Sequence, residues 1–205
     1  MGTGLGPNPH PRKIAAPAVF LDKDGTLLAD VPYNVDPARM RLLPGVLEGL
    51  RLLQEAGYRL IVVTNQSGVA RGYFAEEALD AVKRRLKELL AAAGVRLTAF
   101  YYCPHHPEAV VARYAEPCTC RKPLPGLLLR AATDHHVDLH GSWVIGDTAD
   151  DTGAGRLAGC RTVLIAPSPD SPDARIRPDY IARTFEEAAR AVLGTAVPAG
   201  TEGGA

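Results

Sequence analysis

Apolar residues fall in two rhythms along this chain. Short unbroken runs recur as AVFL (18–21), RLIVV (59–63), TAFYY (98–102), SWVI (142–145), RTVLI (161–165) and, in a weaker pattern, DYIA (179–182). Runs of this length without in–out alternation predict strands covered on both faces. Between them the apolar spacing changes to three and four. Val46, Leu50 and Leu53 share one face of a helix predicted within PGVLEGLRLLQEAG, with Pro44 suited to its first position and Gly57 to its stop. Leu79, Val82, Leu86, Leu89 and Ala93 mark a second helix closing at Gly94. Further helices are predicted over 125–137 and 151–158, and Thr184 with Glu187 predicts a capping box opening a last one. This alternation implies a Rossmann-like α/β fold, a mostly parallel sheet with helices on both faces. Ligands of such sheets bind beyond the carboxyl ends of the strands.

Composition narrows the class. The 205 residues suit one domain over 14–194, between Gly- and Pro-rich segments 1–13 and 195–205 that are expected to be disordered. A hydrophobic share of 46% and a charged share of 22% are those of a globular chain. The formal charge is zero and no basic run occurs, which argues against nucleic-acid or anionic-membrane partners. No apolar run reaches membrane length, and MGTGLGPNPHPRK lacks the apolar segment of a secretory signal. A cytoplasmic protein acting on a small molecule is the expectation. Three of the four cysteines, Cys103, Cys118 and Cys120, cluster with His105, which favours a metal in a reducing compartment over disulfides. Cys160 stands alone among apolar residues and reads as core.

The polar clusters then fall where the fold predicts. Asp22-Lys23-Asp24-Gly25-Thr26 follows the first strand, Thr64-Asn65-Gln66-Ser67 the second, CPHH from Cys103 the third and Gly146-Asp147 the fourth. In extended chain Asp22 and Asp24 point to one side and Lys23 to the other. Gly25 allows a sharp turn, and Thr26 can bond the loop backbone. Cys103 and His105, twelve residues, then Cys118 and Cys120 supply three thiolates and an imidazole, a closed tetrahedral set for structural Zn²⁺; His106 is the alternative to His105. That loop has no hydrophobic run of its own, and Arg121-Lys122 follow it directly, so a metal would replace a missing core and hold the lysine.

DxDGT at 22–26, Thr64 ending an apolar strand, Lys122 in RKP and GDxxxD at 146–151 together resemble the haloacid dehalogenase superfamily of phosphotransferases over residues 17–165. The resemblance implies Asp22 as nucleophile, forming an aspartyl phosphate, and Asp24 as the acid that protonates the leaving alkoxide and then the base that activates water. It places Mg²⁺ on Asp22, the Asp24 carbonyl and Asp147, with Asp151 either a ligand or one layer further out. Thr64 and Lys122 would hold the remaining phosphoryl oxygens.

Within that superfamily TNQSGVARGYF (64–74), YYCPHHPE (101–108) and CTCRKPLPG (118–126) are similar to the D-glycero-D-manno-heptose 1,7-bisphosphate 7-phosphatases. That branch is nearly capless, carries a zinc loop and needs no partner to complete its site, so a monomer is implied. The match makes substrate residues of Asn65, Gln66, Ser67 and the Asp30–Tyr33 segment. Arg121 is implied for the substrate's second phosphate or its hydroxyls, and Arg71 is a further candidate for the same task, a surface arginine being the alternative reading. This chain departs from the pattern at Thr148, where a lysine is typical, and at Pro32 and Ala109, where glycine is usual. The neighbouring histidinol-phosphate phosphatases and a non-catalytic phosphate-binding module are the alternatives. His135, His136 and His140 read as surface histidines and Trp143 as core.

Overall fold

The computed structural model describes residues 15–166 and 177–194; the segments expected to be disordered, 1–13 and 195–205, lie outside the described residues. In chain order the elements are β1 (Ala18–Leu21), α1 (Val46–Glu55), β2 (Arg59–Asn65), α2 (Ala78–Ala91), β3 (Ala99–Cys103), α3 (Gly126–His135), β4 (Trp143–Gly146), α4 (Ala149–Leu157), β5 (Arg161–Ile165), β6 (Tyr180–Ala182) and α5 (Phe185–Val192). The sheet order is β3-β2-β1-β4-β5-β6, and every neighbouring pair is parallel. The chain winds outward from β1 to β3, then returns to the other side of β1 with β4. The crevice where the order reverses lies beyond the carboxyl ends of β1 and β4, the place where open α/β sheets bind ligands.

Strand periodicity divides the core in two. Val19, Leu21, Leu60, Val62 and Ile145 face a layer formed by α1, α2 and α5. Their neighbours Ala18, Phe20, Ile61, Val63 and Val144 face α3 and α4. Trp143 belongs to the first core and Cys160 to the second, as their apolar surroundings predict. All four residues of β1 are fully buried, and the strand that delivers Asp22 is paired on both sides, to β2 and β4.

Local boundaries differ from expectation where partners set them. β3 and β4 each run one residue later than their apolar runs, because Cys103 pairs with Asn65 and Gly146 with Leu164 across the sheet. Helix α1 starts beyond Pro44: Gly45, at φ 78°, is the cap, a left-handed conformation that favours glycine. In α2 the buried stripe runs Leu79, Val82, Leu86, Leu90, with Leu89 turned partly outward and Ala93 beyond the helix end. At α5, Thr184 accepts from the Glu187 N–H at 3.2 Å, but the Glu187 carboxylate reaches the N–H of Arg183, not of Thr184. Among the described residues no helix is long and apolar enough to cross a membrane.

Candidate active site

Asp22 leaves β1 with its N–H bonded to the Ile145 carbonyl of β4 at 3.0 Å, which aims its side chain into the crevice. The turn after it needs glycine for two reasons. Gly25 has φ 80°, and a Cβ there would run into the Asp147 carboxylate. Thr26 donates its hydroxyl to Asp147 Oδ1 at 3.1 Å, a bond to a side chain 121 positions away where loop backbone was expected. Carboxylate oxygens of Asp22, Asp147 and Asp151 lie within 4.8 Å of one another.

One cation serves this group. Lys122 Nζ lies 2.6 Å from Asp22 Oδ1 and 2.5 Å from Asp151 Oδ1 and donates to the Val63 carbonyl at 3.0 Å. The Lys122 backbone is itself gripped by Asn65, whose Oδ1 accepts its N–H at 3.0 Å and whose Nδ2 donates to its carbonyl at 3.1 Å. Asn65 thus holds the lysine by its main chain. Removing both bonds in Asn65→Ala is expected to lower kcat by about tenfold, with KM changed less, since each bond contributes on the order of 1 kcal/mol. Steady-state kinetics separate the two; a pure KM effect would place Asn65 on substrate instead.

Three carboxylates sharing one ammonium are under-compensated. Burial pushes the Asp22 carboxyl up to about 7; Lys122 opposes the rise, while Asp151 and Asp147 add to it. Asp147 is raised as well, by burial first and then by Asp151. Burial works against the Lys122 ammonium, but Asp151 and Asp22 outweigh it and hold the lysine above its ordinary value. A compact set of buried carboxylate oxygens with surplus negative charge fits a hard divalent cation such as Mg²⁺.

The second carboxylate has an unforeseen partner. Lys23 is buried, and its Nζ meets Asp24 Oδ1 at 2.6 Å, so it does not stay out of the cluster. Period-two alternation fails here because the strand ends at Leu21 and residues 23–28 close a turn, Leu27 and Leu28 both donating to the Lys23 carbonyl. A buried ammonium requires a counter-charge, and Asp24 is in reach. Gln66 donates to the other Asp24 oxygen at 3.2 Å and to the Thr64 hydroxyl at 3.0 Å, tying the turn after β1 to the end of β2. Thr148 donates its N–H and its hydroxyl to Asp151 Oδ2, at 3.1 and 2.5 Å. Both Asp151 oxygens are therefore engaged by protein.

Beside this crevice Cys103, His105, Cys118 and Cys120 bring one ligand atom each within 4.8 Å of one another, a set that can hold a metal ion. The hydrogen bond with Cys103 depresses Cys120 to about 5, and the same bond raises Cys103. Packed thiols sharing a proton in this way invite a cation in its place. His106 is not in the set; its ring turns to Arg71 and to the Glu108 N–H. A cavity of about 440 Å³ opens beside the cluster and reaches Lys122, its wall also including His106, Arg121 and Asp150.

Of the residues expected on substrate, Arg121 lines this cavity. Arg71 sits at its edge with His106 and Glu108. Asp30 is exposed, Ser67 is half-buried, and Tyr33 stands 48% exposed, edge-on to Tyr73 at 4.6 Å. Asn65 and Gln66 use their amides on Lys122 and Asp24, as described. Lys23 was missed as a site residue, and His106, weighed only as the alternative to His105, lines the cavity instead. The only signal for Lys23 was its place between two carboxylates.

A family model described as HAD-hydrolase-like matches residues 119–188. The D-glycero-β-D-manno-heptose-1,7-bisphosphate 7-phosphatase of Yersinia pestis is 36% identical over 180 residues, covering 87% of this chain and 96% of that protein. Among solved structures, a HAD-like phosphatase from Mesorhizobium loti superposes with a TM-score of 0.77 at 34% identity, covering 95% of this chain and 90% of the other. The D,D-heptose 1,7-bisphosphate phosphatase of B. bronchiseptica, solved with magnesium and phosphate, superposes with a TM-score of 0.72 at 30% identity, covering 87% and 98%.

Proposed function

The chain belongs to the haloacid dehalogenase-like phosphatases and is closely related to the D-glycero-D-manno-heptose 1,7-bisphosphate 7-phosphatases, and on that premise we propose that it removes the 7-phosphate of D-glycero-D-manno-heptose 1,7-bisphosphate. The observation that carries the reading is the convergence of Asp22, Lys122 and Asp147 at the switch point, with Asp24 two residues on and held by Lys23 and Gln66.

In this reading an Asp22 oxygen attacks phosphorus, the bond from phosphorus to the sugar oxygen breaks, and Asp24 gives that oxygen a proton. Water then gives a proton to Asp24 and attacks the same phosphorus. The Asp22–phosphorus bond breaks, inorganic phosphate leaves, and both carboxyl groups return to their starting states. Thr64 and Lys122 hold phosphoryl oxygens as charge moves. Asp22, Asp147 and the Asp24 carbonyl would hold Mg²⁺, which when bound would supply the positive charge that lets a carboxylate approach a phosphate. Asp151 holds Lys122 through one oxygen and Thr148 through the other, a positioning role.

Zn²⁺ is the metal we assign to the cysteine cluster. Zinc–sulfur bonds of about 2.3 Å set tetrahedral sulfurs ~3.8 Å apart. Here Cys103 Sγ lies 3.7 Å from Cys118 Sγ and 3.7 Å from His105 Nδ1, and Cys120 Sγ lies 3.4 Å from the same nitrogen, while Cys120 Sγ and Cys103 Sγ, hydrogen-bonded at 2.9 Å, would have to move apart to bind the ion. In this reading the single domain over 14–194 carries no separate cap and every group named here comes from one chain, so a monomer suffices.

Phosphate release with Mg²⁺ from both anomers of the heptose bisphosphate and from L-histidinol phosphate tests the substrate. One heptose anomer is expected to have the highest kcat/KM. A preference for histidinol phosphate would move the protein to the other branch.

A further inference from the structure

An ammonium is costly to bury, yet Lys23 is only 1% exposed. Among the described residues its Nζ has one hydrogen-bond partner, Asp24 Oδ1 at 2.6 Å. An apolar side chain in such a space often stabilises a fold as well or better, so stability gives no reason for the charge. The reason lies in Asp24. Its side chain is 32% exposed, so the carboxyl is gripped from the protein side and open on the other. Its second oxygen, Oδ2, meets Gln66 Nε2 at 3.2 Å, and the same Nε2 reaches the Thr64 hydroxyl at 3.0 Å. Gln66 thereby sets Asp24 against the residue expected to hold a phosphoryl oxygen. The grip is anchored in the main chain as well. The Lys23 carbonyl accepts from the Leu27 and Leu28 N–H groups at 3.0 and 2.9 Å, which closes the turn that carries the pair.

We infer that Lys23 is a positioning residue for the acid step: its ammonium, bonded to Asp24 Oδ1, turns the carboxyl so that Oδ2 carries the proton and meets the leaving oxygen. The inference rests on the reading above that Asp24 protonates the departing alkoxide. A carboxylic acid accepts through its carbonyl oxygen and donates through its hydroxyl, whereas an ammonium donates and never accepts. With Oδ1 taken by such a donor, the proton belongs on Oδ2. Gln66, at the longer distance, can yield Oδ2 to the substrate while the shorter, charge-assisted bond from Lys23 keeps the carboxyl in place. In the step itself the phosphorus–oxygen bond to the alcohol breaks as the bond to Asp22 forms. The Oδ2 proton passes to the alcohol oxygen, and Asp24 is left a carboxylate still held by Lys23.

The test compares leaving groups. An alkoxide needs a proton to depart, whereas p-nitrophenolate is a stable anion that leaves without one. Because kcat/KM covers only the steps up to departure of the alcohol, its ratio for an alkyl ester over p-nitrophenyl phosphate isolates the acid. Losses common to the nucleophile, the metal and the later hydrolysis cancel. The alkyl ester is whichever of D-glycero-D-manno-heptose 1,7-bisphosphate and L-histidinol phosphate the full-length, magnesium-loaded parent turns over faster. Asp24→Asn is expected to lower the ratio by about 10²-fold or more, the scale of general acid catalysis. Lys23→Met, which fills the space of the stem, and Lys23→Gln, which keeps a neutral donor there, are each expected to lower it by about tenfold through misplacement of the acid. In the Asp24→Asn background Lys23→Met is expected to change it by less than about twofold, since a positioning residue acts through its partner. A ratio that Asp24→Asn leaves unchanged would overturn the reading of Asp24 as the acid, and the role of Lys23 with it. A ratio that falls in Asp24→Asn but holds in both Lys23 variants would overturn the role of Lys23 alone. So would a further tenfold fall in the double variant.

Discussion

Asp22→Asn is expected to lower kcat by at least about 10⁴-fold, the scale of removing a covalent nucleophile. The amide keeps the shape and can still accept from Lys122, so loss of turnover would report chemistry and not collapse of the site. A second readout follows from the acidity of the group. Asp22 titrates near 7 in the fold against 3.8 as an ordinary carboxyl, chiefly because of burial. Between those values the native protein holds a proton that the unfolded chain has lost. Stability of the magnesium-free protein therefore falls as pH rises from about 4 to about 7. Asn carries no such titration. In magnesium-free buffer the melting temperature of Asp22→Asn should gain on that of the parent across this window, and the gap should level off above it. A gap independent of pH would mean that Lys122 already compensates Asp22 in full.

Cys120→Ser has the largest expected effect on stability. Apparent binding energies of structural zinc are on the order of 10 kcal/mol, comparable to the whole stability of a domain, and the metal loop has little else to hold it. Its main other anchor is Tyr114, whose hydroxyl meets Glu76 Oε2 at 2.5 Å, while Tyr102 takes the second oxygen at 2.9 Å. That clasp secures the middle of the loop; at the Cys118–Lys122 end the two Asn65 bonds to Lys122 and the bond from the Gly126 N–H to the Thr119 carbonyl act alongside the metal. The variant is expected to lose most of its bound metal, to melt about 10 °C lower or more, and to lose activity by about 10²-fold as Lys122 loosens. Metal analysis with calorimetry measures the first two. Thiol counting adds an independent check on the parent protein. With metal bound none of its cysteines should react quickly. After chelation three should, Cys120 first because its thiol is depressed to about 5. Cys160, buried and pushed up to about 12, should wait for unfolding. Four slow thiols after chelation would argue against a metal in this cluster.

Much of this protein was legible in one dimension because its signals are local. A buried strand and an amphipathic helix each declare themselves within a dozen residues, and a parallel sheet puts every strand end on one rim. That logic sufficed to bring Asp22, Thr64, Cys103 and Asp147 to the same side, and the motif spacing supplied Lys122. What needed the fold was the pairing of side chains across long stretches of chain. Lys122 meets Asp22 100 positions away only because β1 lies between β2 and β4. Asn65 and Gln66 read as substrate residues from the motif; only the fold shows the amide of one set against the Lys122 backbone and that of the other against Asp24. His105 and His106 are neighbours with the same side chain, and no spacing rule separates them. The direction of the chain after β3 turns one ring to the cysteines and the other to Arg71. Lys23 shows the same limit: alternation holds while a strand lasts, and beyond its last residue the need of a buried charge for a partner decides where a side chain goes.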